Sequence, residues 1–333
     1  MMTPPSLPHL LSENYGFLHS DECKQQVIEY VKDNKSIAHE EIIFIKSLTK
    51  VAEHILESDP GSLDGLLQRI YDFHIEGIMK IQSESGNGGS NYAKEHMTLM
   101  RSHLHTHAAN FAKAILKNMR NGENNPMQKL FWAQEMYNNH LFSADLISDI
   151  DPKHASVQYS NAGKAAWIVF KILEDQKDAP LEKKIEWMKK KHKNEKAAGE
   201  KMSEIGNSSF MHEYDNAAKA LYTLYNLTGN AYYLNGCYEM RRLLAITTSK
   251  TNLNFSASQD VLAAETAIEL SKLTGREFWE KRARMHSNKV KSYSSSHQHI
   301  KGGSKFRKAT EISIDLDGSK NKRGYVRATG YAY

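Results

Sequence analysis

Three histidines in one segment have the residue type and spacing that could hold a metal ion. His96, His103 and His107 are separated by seven and four residues. On a helix, at 100° per residue, they fall within a stripe about 40° wide, while His105 points to the opposite side. The one-turn separation of His103 and His107 suits zinc. The alternative is that these histidines border an apolar helix face, because no glutamate completes a His-Glu-x-x-His pattern. We therefore expect no bound metal. If a metal does bind, His96, His103 and His107 are the candidate ligands.

An acidic group forms a second candidate. Asp145, Asp149 and Asp151 are spaced in a way that suggests a magnesium-binding helix. Pro152 follows directly, and proline interrupts the hydrogen bonding of a preceding helix. The sequence therefore favours Asp149 and Asp151 at a helix end rather than at a metal.

Several other chemistries are excluded by the sequence. The glycine-rich segment 86–89 lacks the Lys-Ser/Thr ending of a nucleotide-binding loop and follows no strand, so it indicates a turn. No histidine has a glutamate three positions before it, which excludes a carboxylate di-iron bundle. We expect no cofactor.

The segment Asn138-Asn139-His140 resembles the Asn-Asn-His motif of alginate-type polysaccharide lyases. The resemblance implies that Asn139 and His140 mask a uronate carboxylate and that Tyr214 transfers the proton, because removal of a proton beside a carboxylate requires that charge to be neutralised. No arginine precedes Tyr214 closely, and the separation from His140 is long. The alternative is the polar end of an amphipathic helix.

The composition is that of a globular protein that stays inside the cell. Hydrophobic residues make up 40% of the 333 residues and charged residues 25%. Two cysteines, Cys23 and Cys237, suit a reducing compartment. The first residues lack a basic region followed by an apolar run, and no stretch of 18 apolar residues exists, so we expect a cytoplasmic protein without a transmembrane segment. Leaderless export to another cell would leave no mark in the sequence.

Apolar residues recur at the helical period along most of the chain, which predicts an all-α fold. We expect helices near 21, 36–56, 62–81, 91–120, 127–149, 157–175, 181–204, 213–227, 230–247, 257–273 and 276–292. Residues 1–20 form a flexible N-terminal arm, 21–292 a helical-repeat domain, and 293–333 a largely disordered tail. The tail is basic, because residues 281–333 contain 13 Lys or Arg and three acidic residues.

A self-similarity at an offset of 46 residues is the most informative pattern. The second copy repeats, in order, Ala217-Ala218 as Ala263-Ala264, Leu224 as Leu270, Leu227-Thr228-Gly229 as Leu273-Thr274-Gly275 and Tyr232-Tyr233 as Phe278-Trp279. A weaker echo begins at Ala165-Ala166 and Ile172. The pattern predicts a helical hairpin in which paired alanines allow close packing, glycine ends the first helix, and the aromatic pair packs back on it. Such hairpins must stack to bury their apolar faces.

Two families share features with this region. The stretch 225–233 resembles a tetratricopeptide helix pair. The stretch 214–221, together with Leu227-Thr228-Gly229 and Tyr233, is similar to hairpins of the α/α-toroid enzymes, which include alginate-type lyases. Each resemblance covers about 80 residues, and together they imply stacked antiparallel hairpins in an α-solenoid or an α/α toroid.

The charged segment 183–201 holds eight lysines interleaved with glutamates that include Glu186, Glu195 and Glu200. Opposite charges three and four residues apart are typical of a solvated helix face. Phe306, Tyr325, Tyr331 and Tyr333 give the basic tail aromatic groups that could meet nucleic-acid bases or lipid headgroups.

Three functional hypotheses follow. The first is a helical-repeat scaffold or adaptor that binds a protein partner in the groove between hairpins. The second is an enzyme on an α/α scaffold, with polysaccharide-lyase-like activity through Asn139, His140 and Tyr214. The third is tethering to an anionic membrane or a nucleic acid through the C-terminal tail.

Overall fold

The part of the chain that the structure describes contains α-helices, eight of them bounded at both ends, and no strand, which confirms the all-α prediction. This computed structural model describes residues 91–119, 125–249 and 252–296, together with the single positions 71, 72, 75, 78 and 79, which are helical. The helices are α1 (Asn91–Asn118), α2 (Pro126–Ile147), α3 (Pro152–Asp175), α4 (Leu181–Glu204), α5 (Phe210–Thr228), α6 (Ala231–Thr248), α7 (Leu253–Thr274) and α8 (Glu277–Ser296). None of these helices combines the length and apolar character needed to cross a membrane.

Several predictions concern residues outside the described ranges. They are the N-terminal arm, the helices before residue 91 apart from the five single positions, the break at 86–89 and the tail from residue 297 onward. Within the described ranges, each predicted helix has an observed counterpart. The largest difference is at α3, which begins at Pro152 instead of 157.

The start of α3 is fixed by Asp151 and Pro152. The Asp151 carboxylate accepts a hydrogen bond from the His154 backbone N–H at 2.9 Å. Pro152 occupies the first helical position, where a backbone N–H would have no acceptor within the helix, so proline is tolerated there. Asp149 lies in the preceding turn with its side chain 97% exposed. Asp149 therefore follows the end of α2, as predicted, whereas Asp151 caps the start of α3.

The chain divides into two compact units, with the boundary between Glu213 and Tyr214. In the first unit α1 packs on α2, α2 on α3, and α3 on α4. The connections from α2 to α5 are four or five residues long, which forces successive helices to run antiparallel. Leu104, Phe111, Ile147, Phe170 and Met188 are among the fully buried side chains of this unit. The helices that the structure describes in full in the first unit thus form two helical hairpins, α1 with α2 and α3 with α4.

The second unit contains the repeat, and its two turns are built alike. Gly229 ends α5 with a φ of 66°, and Gly275 ends α7 with a φ of 65°. Thr228 and Thr274 each donate a side-chain hydrogen bond to the carbonyl four residues before, at 2.7 Å in both cases. Two residues then separate each pair of helices. The predicted hairpin ends are confirmed.

The repeated apolar residues form the core of the second unit. Ala217, Ala218, Ala263 and Ala264 are wholly buried, and Leu224 and Leu270 are nearly so. The prediction for the aromatic pairs is only partly correct. Trp279 packs edge-on against Tyr238 at 5.1 Å, whereas Tyr232 and Phe278 are 75% and 51% exposed. The first aromatic of each pair faces solvent because it stands at the outer end of the turn.

The weaker echo in the first unit does not extend to a turn of the same kind. Ala165 and Ala166 are buried as predicted, but Leu173 rather than Ile172 is the buried residue near the helix end. The helix α3 stops at Asp175 and continues into an extended Gln176 without a glycine.

Candidate functional site

The candidate metal ligands lie along α1, and only part of this group is described in side-chain detail. His103 is exposed, and its ring lies 5.7 Å from that of His154. His107 is half-buried, and the side chain of His96 lies outside the described residues. Among the side chains that the structure describes, no group of three or more His, Cys, Asp or Glu residues is placed to hold a metal ion.

The histidine that the stripe left out is the one that enters the core. His105 is 8% exposed and its Nδ1 lies 2.8 Å from the Asn139 Oδ1 on α2. The Asn139 amide nitrogen donates to the Tyr71 hydroxyl and to the Glu135 carbonyl, both at 3.0 Å. The Tyr71 hydroxyl in turn donates to the Glu135 carboxylate. Both polar atoms of the Asn139 side chain therefore form hydrogen bonds, and these bonds join α2 to His105 of α1 and to Tyr71.

His140 makes a separate polar contact, with α3 instead of α1. It is 3% exposed, and its Nδ1 lies 2.8 Å from the side-chain oxygen of Gln158 on α3. Burial lowers the pKa of His140 to about 4, although the Gln158 hydrogen bond acts in the opposite direction. The imidazole is therefore neutral at pH 7 and acts as a hydrogen-bond donor to Gln158.

The third residue of the lyase hypothesis lies in the other unit. Tyr214 is half-buried in the first turns of α5, immediately after the boundary between the two units. Its cooperation with Asn139 and His140 stays a prediction.

Asn138, the first residue of the same motif, lines a surface groove. We name this the Trp187 groove. It has a volume of about 310 Å³ and lies between the two hairpins of the first unit. Its walls are Leu130, Gln134 and Asn138 of α2, Leu173 of α3, and Lys183, Glu186, Trp187 and Lys190 of α4.

An aromatic pair supports a lysine at this groove. The Trp187 ring meets the Tyr137 ring edge-on at 5.0 Å, and the Tyr137 hydroxyl accepts a hydrogen bond from Asn194 at 3.2 Å. The Lys190 ammonium lies 4.0 Å from the centre of the Trp187 ring, within the range of a cation–π interaction. It also pairs with Glu186 at 2.8 Å. The groove therefore presents an ordered positive group beside an apolar surface.

A second groove, the Trp167 groove, has a volume of about 410 Å³. Leu116 of α1, Lys129 of α2, and Trp167, Ile168, Lys171, Ile172 and Asp175 of α3 line it. The Lys171 ammonium lies 4.9 Å from the centre of the Trp167 ring, so a lysine over a tryptophan recurs here. This groove lacks the side-chain amides that Gln134 and Asn138 supply to the other.

The charged segment 183–201 contains one buried acid that its sequence pattern does not predict. Glu186 with Lys190 and Glu200 with Lys196 form exposed pairs one helical turn apart, as a solvated face requires. Glu195, however, is fully buried. The solvated-face prediction is wrong for Glu195, and the regular alternation of charge gave no signal that one glutamate packs inward.

A buried polar network in the second unit was also missed. The His286 Nδ1 lies 2.6 Å from the Asp260 carboxylate, and the Tyr238 hydroxyl lies 3.2 Å from the His286 Nε2. The Tyr293 hydroxyl donates to the second Asp260 oxygen at 3.2 Å. His286 and Asp260 have no exposed surface, so this network joins α6, α7 and α8 from within the core. In the sequence, the only signal of this network is that Asp260 and His286 fall among apolar residues on their helix faces.

Fold and grooves together define a helical-hairpin repeat protein. No protein-family model and no curated protein matches the chain. A de novo designed helical repeat protein is 14% identical over 68% of this chain and 96% of its own, with a TM-score of 0.32. A computationally designed chain from self-assembling cyclic homo-oligomers is 12% identical over 94% of this chain and 98% of its own, with a TM-score of 0.33. Likenesses this weak carry no functional argument.

Proposed function

We propose that this chain is a scaffold that binds a partner protein, and that the Trp187 groove receives a segment of the partner carrying a carboxylate side chain. The observation that carries the proposal is the Lys190 ammonium held 4.0 Å above the Trp187 ring, in a groove between two hairpins. A groove of this kind combines an apolar surface with a positive charge whose position is fixed before the ligand arrives.

The chemistry of the groove walls favours an acidic peptide segment. Lys183 and Lys190 supply two ammonium groups, and Glu186, which pairs with Lys190 at 2.8 Å, supplies one carboxylate. The groove walls therefore carry a net positive charge that attracts a carboxylate and raises the rate of encounter. Gln134 and Asn138 supply amides that can donate to and accept from a peptide backbone. The volume of about 310 Å³ is at the lower end of ligand pockets, which fits a few side chains of a bound segment rather than a whole domain.

A matched pair of charge reversals tests the proposal. Lys183→Glu changes a groove wall, whereas Lys189→Glu makes the same change at an exposed position on the same helix that does not line the groove. Fluorescence anisotropy should be measured with short labelled peptides of equal length, one set acidic and one neutral. We expect the acidic set to bind the wild type, and K183E to weaken this binding about tenfold more than K189E, since each 1.4 kcal/mol is a factor of ten.

Photocrosslinking locates the contact. A photoreactive amino acid replaces Asn138 in one sample and the exposed Val157, which does not line the groove, in the other. We expect crosslinks to a partner from position 138 that excess acidic peptide removes, and none that respond to the peptide from position 157. Equal binding of neutral and acidic peptides, or crosslinks unaffected by competition, would contradict the proposal.

A further inference from the structure

Two carboxyl groups meet on one face of α3, inside the first unit. Ser160 and Gly163 are three residues apart and therefore share a helix face. The Ser160 hydroxyl donates to the Glu213 Oε1 at 3.2 Å. The Glu195 carboxyl lies against Gly163 so closely that a Cβ there would be 2.8 Å from its Cδ and Oε1. Glu213 of α5 and Glu195 of α4 thus converge on the same turn of α3.

One oxygen of each carboxyl group has no donor. The Lys191 ammonium pairs with the Glu195 Oε1 at 2.9 Å, and the Ser160 hydroxyl donates a hydrogen bond to the Glu213 Oε1. The two Oε2 atoms are buried, and neither accepts a hydrogen bond from a protein N–H or O–H group. A buried, unsatisfied carboxylate oxygen is costly. A proton on one carboxyl converts it into a donor for the other and satisfies both atoms at once.

We propose that Glu195 and Glu213 share one proton at neutral pH, and that this proton holds the first turn of α5 against α3 and α4. The charged groups that face the pair are Lys164 of α3 and Lys191 of α4, and both favour ionised carboxylates. Burial and the neighbouring Glu195 outweigh Lys164 and the Ser160 hydrogen bond, and they raise the pKa of Glu213 to about 8.

The pair makes the first turn of α5, which ends at Glu213, sensitive to pH in a defined direction. The folded pKa of Glu213 lies above its ordinary value of 4.5, so the folded protein binds the proton more tightly than the unfolded chain. The stability that this proton contributes is complete below pH 4.5 and is lost as pH rises through 8. Above that pH the proton leaves to solvent and two adjacent carboxylates repel each other, which loosens the first turn of α5.

Carbon NMR of the glutamate carboxyl groups, titrated from about pH 5 to pH 10, tests the shared proton in the full-length protein. We expect one carboxyl to titrate near pH 8, and this signal to be absent in Glu213→Gln. Glu200→Gln, which removes an exposed carboxylate from α4, is the matched control and should retain it. A wild-type protein in which every glutamate is ionised at pH 7 would overturn the proposal, and this measurement stands even if E213Q does not fold.

Hydrogen exchange tests the attachment of α5. Protection is the ratio of the intrinsic to the observed exchange rate of an amide. We expect the protection of the amides at 214–217 to fall about tenfold per pH unit above pH 8 in the wild type. In E213Q it should stay constant over the same pH range. Protection that falls equally in both proteins would overturn the proposal that the shared proton holds the first turn of α5. A thermal shift with Mg²⁺, Ca²⁺ or Mn²⁺ at pH 9 that stabilises the wild type and not E213Q would replace the proton with a cation site.

Discussion

Gly163 shows how a single residue can be fixed by a neighbour that is distant in the sequence. An added Cβ would come within 3.0 Å of three atoms of the Glu195 side chain, which is buried and held by Lys191. Because the buried Glu195 side chain would have to shift away from Lys191 to admit the methyl group, Gly163→Ala should destabilise the protein by about 1–3 kcal/mol, the usual cost of overpacking. The free energy of unfolding from denaturant titration measures this change.

Gly236→Ala is the control for that experiment. Gly236 is also in the interior of a helix, but its Cβ would meet only the two terminal methyl carbons of Leu221, at 3.2 and 4.0 Å. Alanine is favoured over glycine in a helix by about 1 kcal/mol. G236A should therefore be neutral or slightly stabilising, and an equal loss of stability in both variants would refute the steric explanation of Gly163.

His140 predicts an acid-dependent loss of stability. Its pKa is lowered from 6.5 to about 4 in the folded protein, so the unfolded chain binds the proton more readily. The free energy of unfolding should fall as pH decreases from about 6.5 to 4, by a total of about 3 kcal/mol from this residue.

The variant that isolates this effect is His140→Gln, which can still donate to Gln158 and does not titrate. Its stability should change less than that of the wild type between pH 6.5 and 4. Parallel profiles for H140Q and the wild type would show that His140 is not the titrating group.

At the scale of the helices, the two glycine turns behave as copies of one another. Gly229 and Gly275 have the left-handed backbone conformation, and nothing lies within 4 Å of an added Cβ at either position. The cost of alanine there is therefore a backbone cost, about 1–2 kcal/mol. We expect G229A and G275A to lose similar amounts of stability in thermal or denaturant unfolding.

Asparagine at the same positions distinguishes this cause from others. Asparagine tolerates the left-handed region better than alanine, so Gly275→Asn should lose less stability than Gly275→Ala. An asparagine variant as unstable as the alanine variant would mean that the glycine is needed for a reason other than its φ angle.

Helix ends were largely predictable because their determinants are local. Asn125 and Pro126, Asp151 and Pro152, and Thr274 followed by Gly275 each act within a few residues of the boundary that they set. The predicted start of α3 lies five residues late, because Asp151 was interpreted as the end of the preceding helix and not as the cap of the next. The same local evidence gave no information on which polar residue of a helix faces the core.

At the scale of the whole molecule, the second unit has a core of its own. Leu234, Tyr238, Ala263, Ala267, Leu270 and Ala283 form one buried cluster drawn from α6, α7 and α8, with Tyr222 and Tyr225 of α5 packed against it. We expect a fragment of residues 207–296 to show a helical circular dichroism spectrum and a cooperative thermal transition. A spectrum of random coil would show that this cluster is insufficient.

The helical class, most helix boundaries and the repeated hairpin follow from the amino-acid sequence, because hydrophobic period, caps and glycine turns act through neighbours along the chain. Tertiary structure decided that Glu195 is buried, that Asn139 and His140 enter different contacts, and that Trp187 and Lys190 line a groove with Asn138. These outcomes depend on which face of each helix meets its neighbours. Charges at three- and four-residue spacing fit either face equally, so only the packing of the helices selects between them.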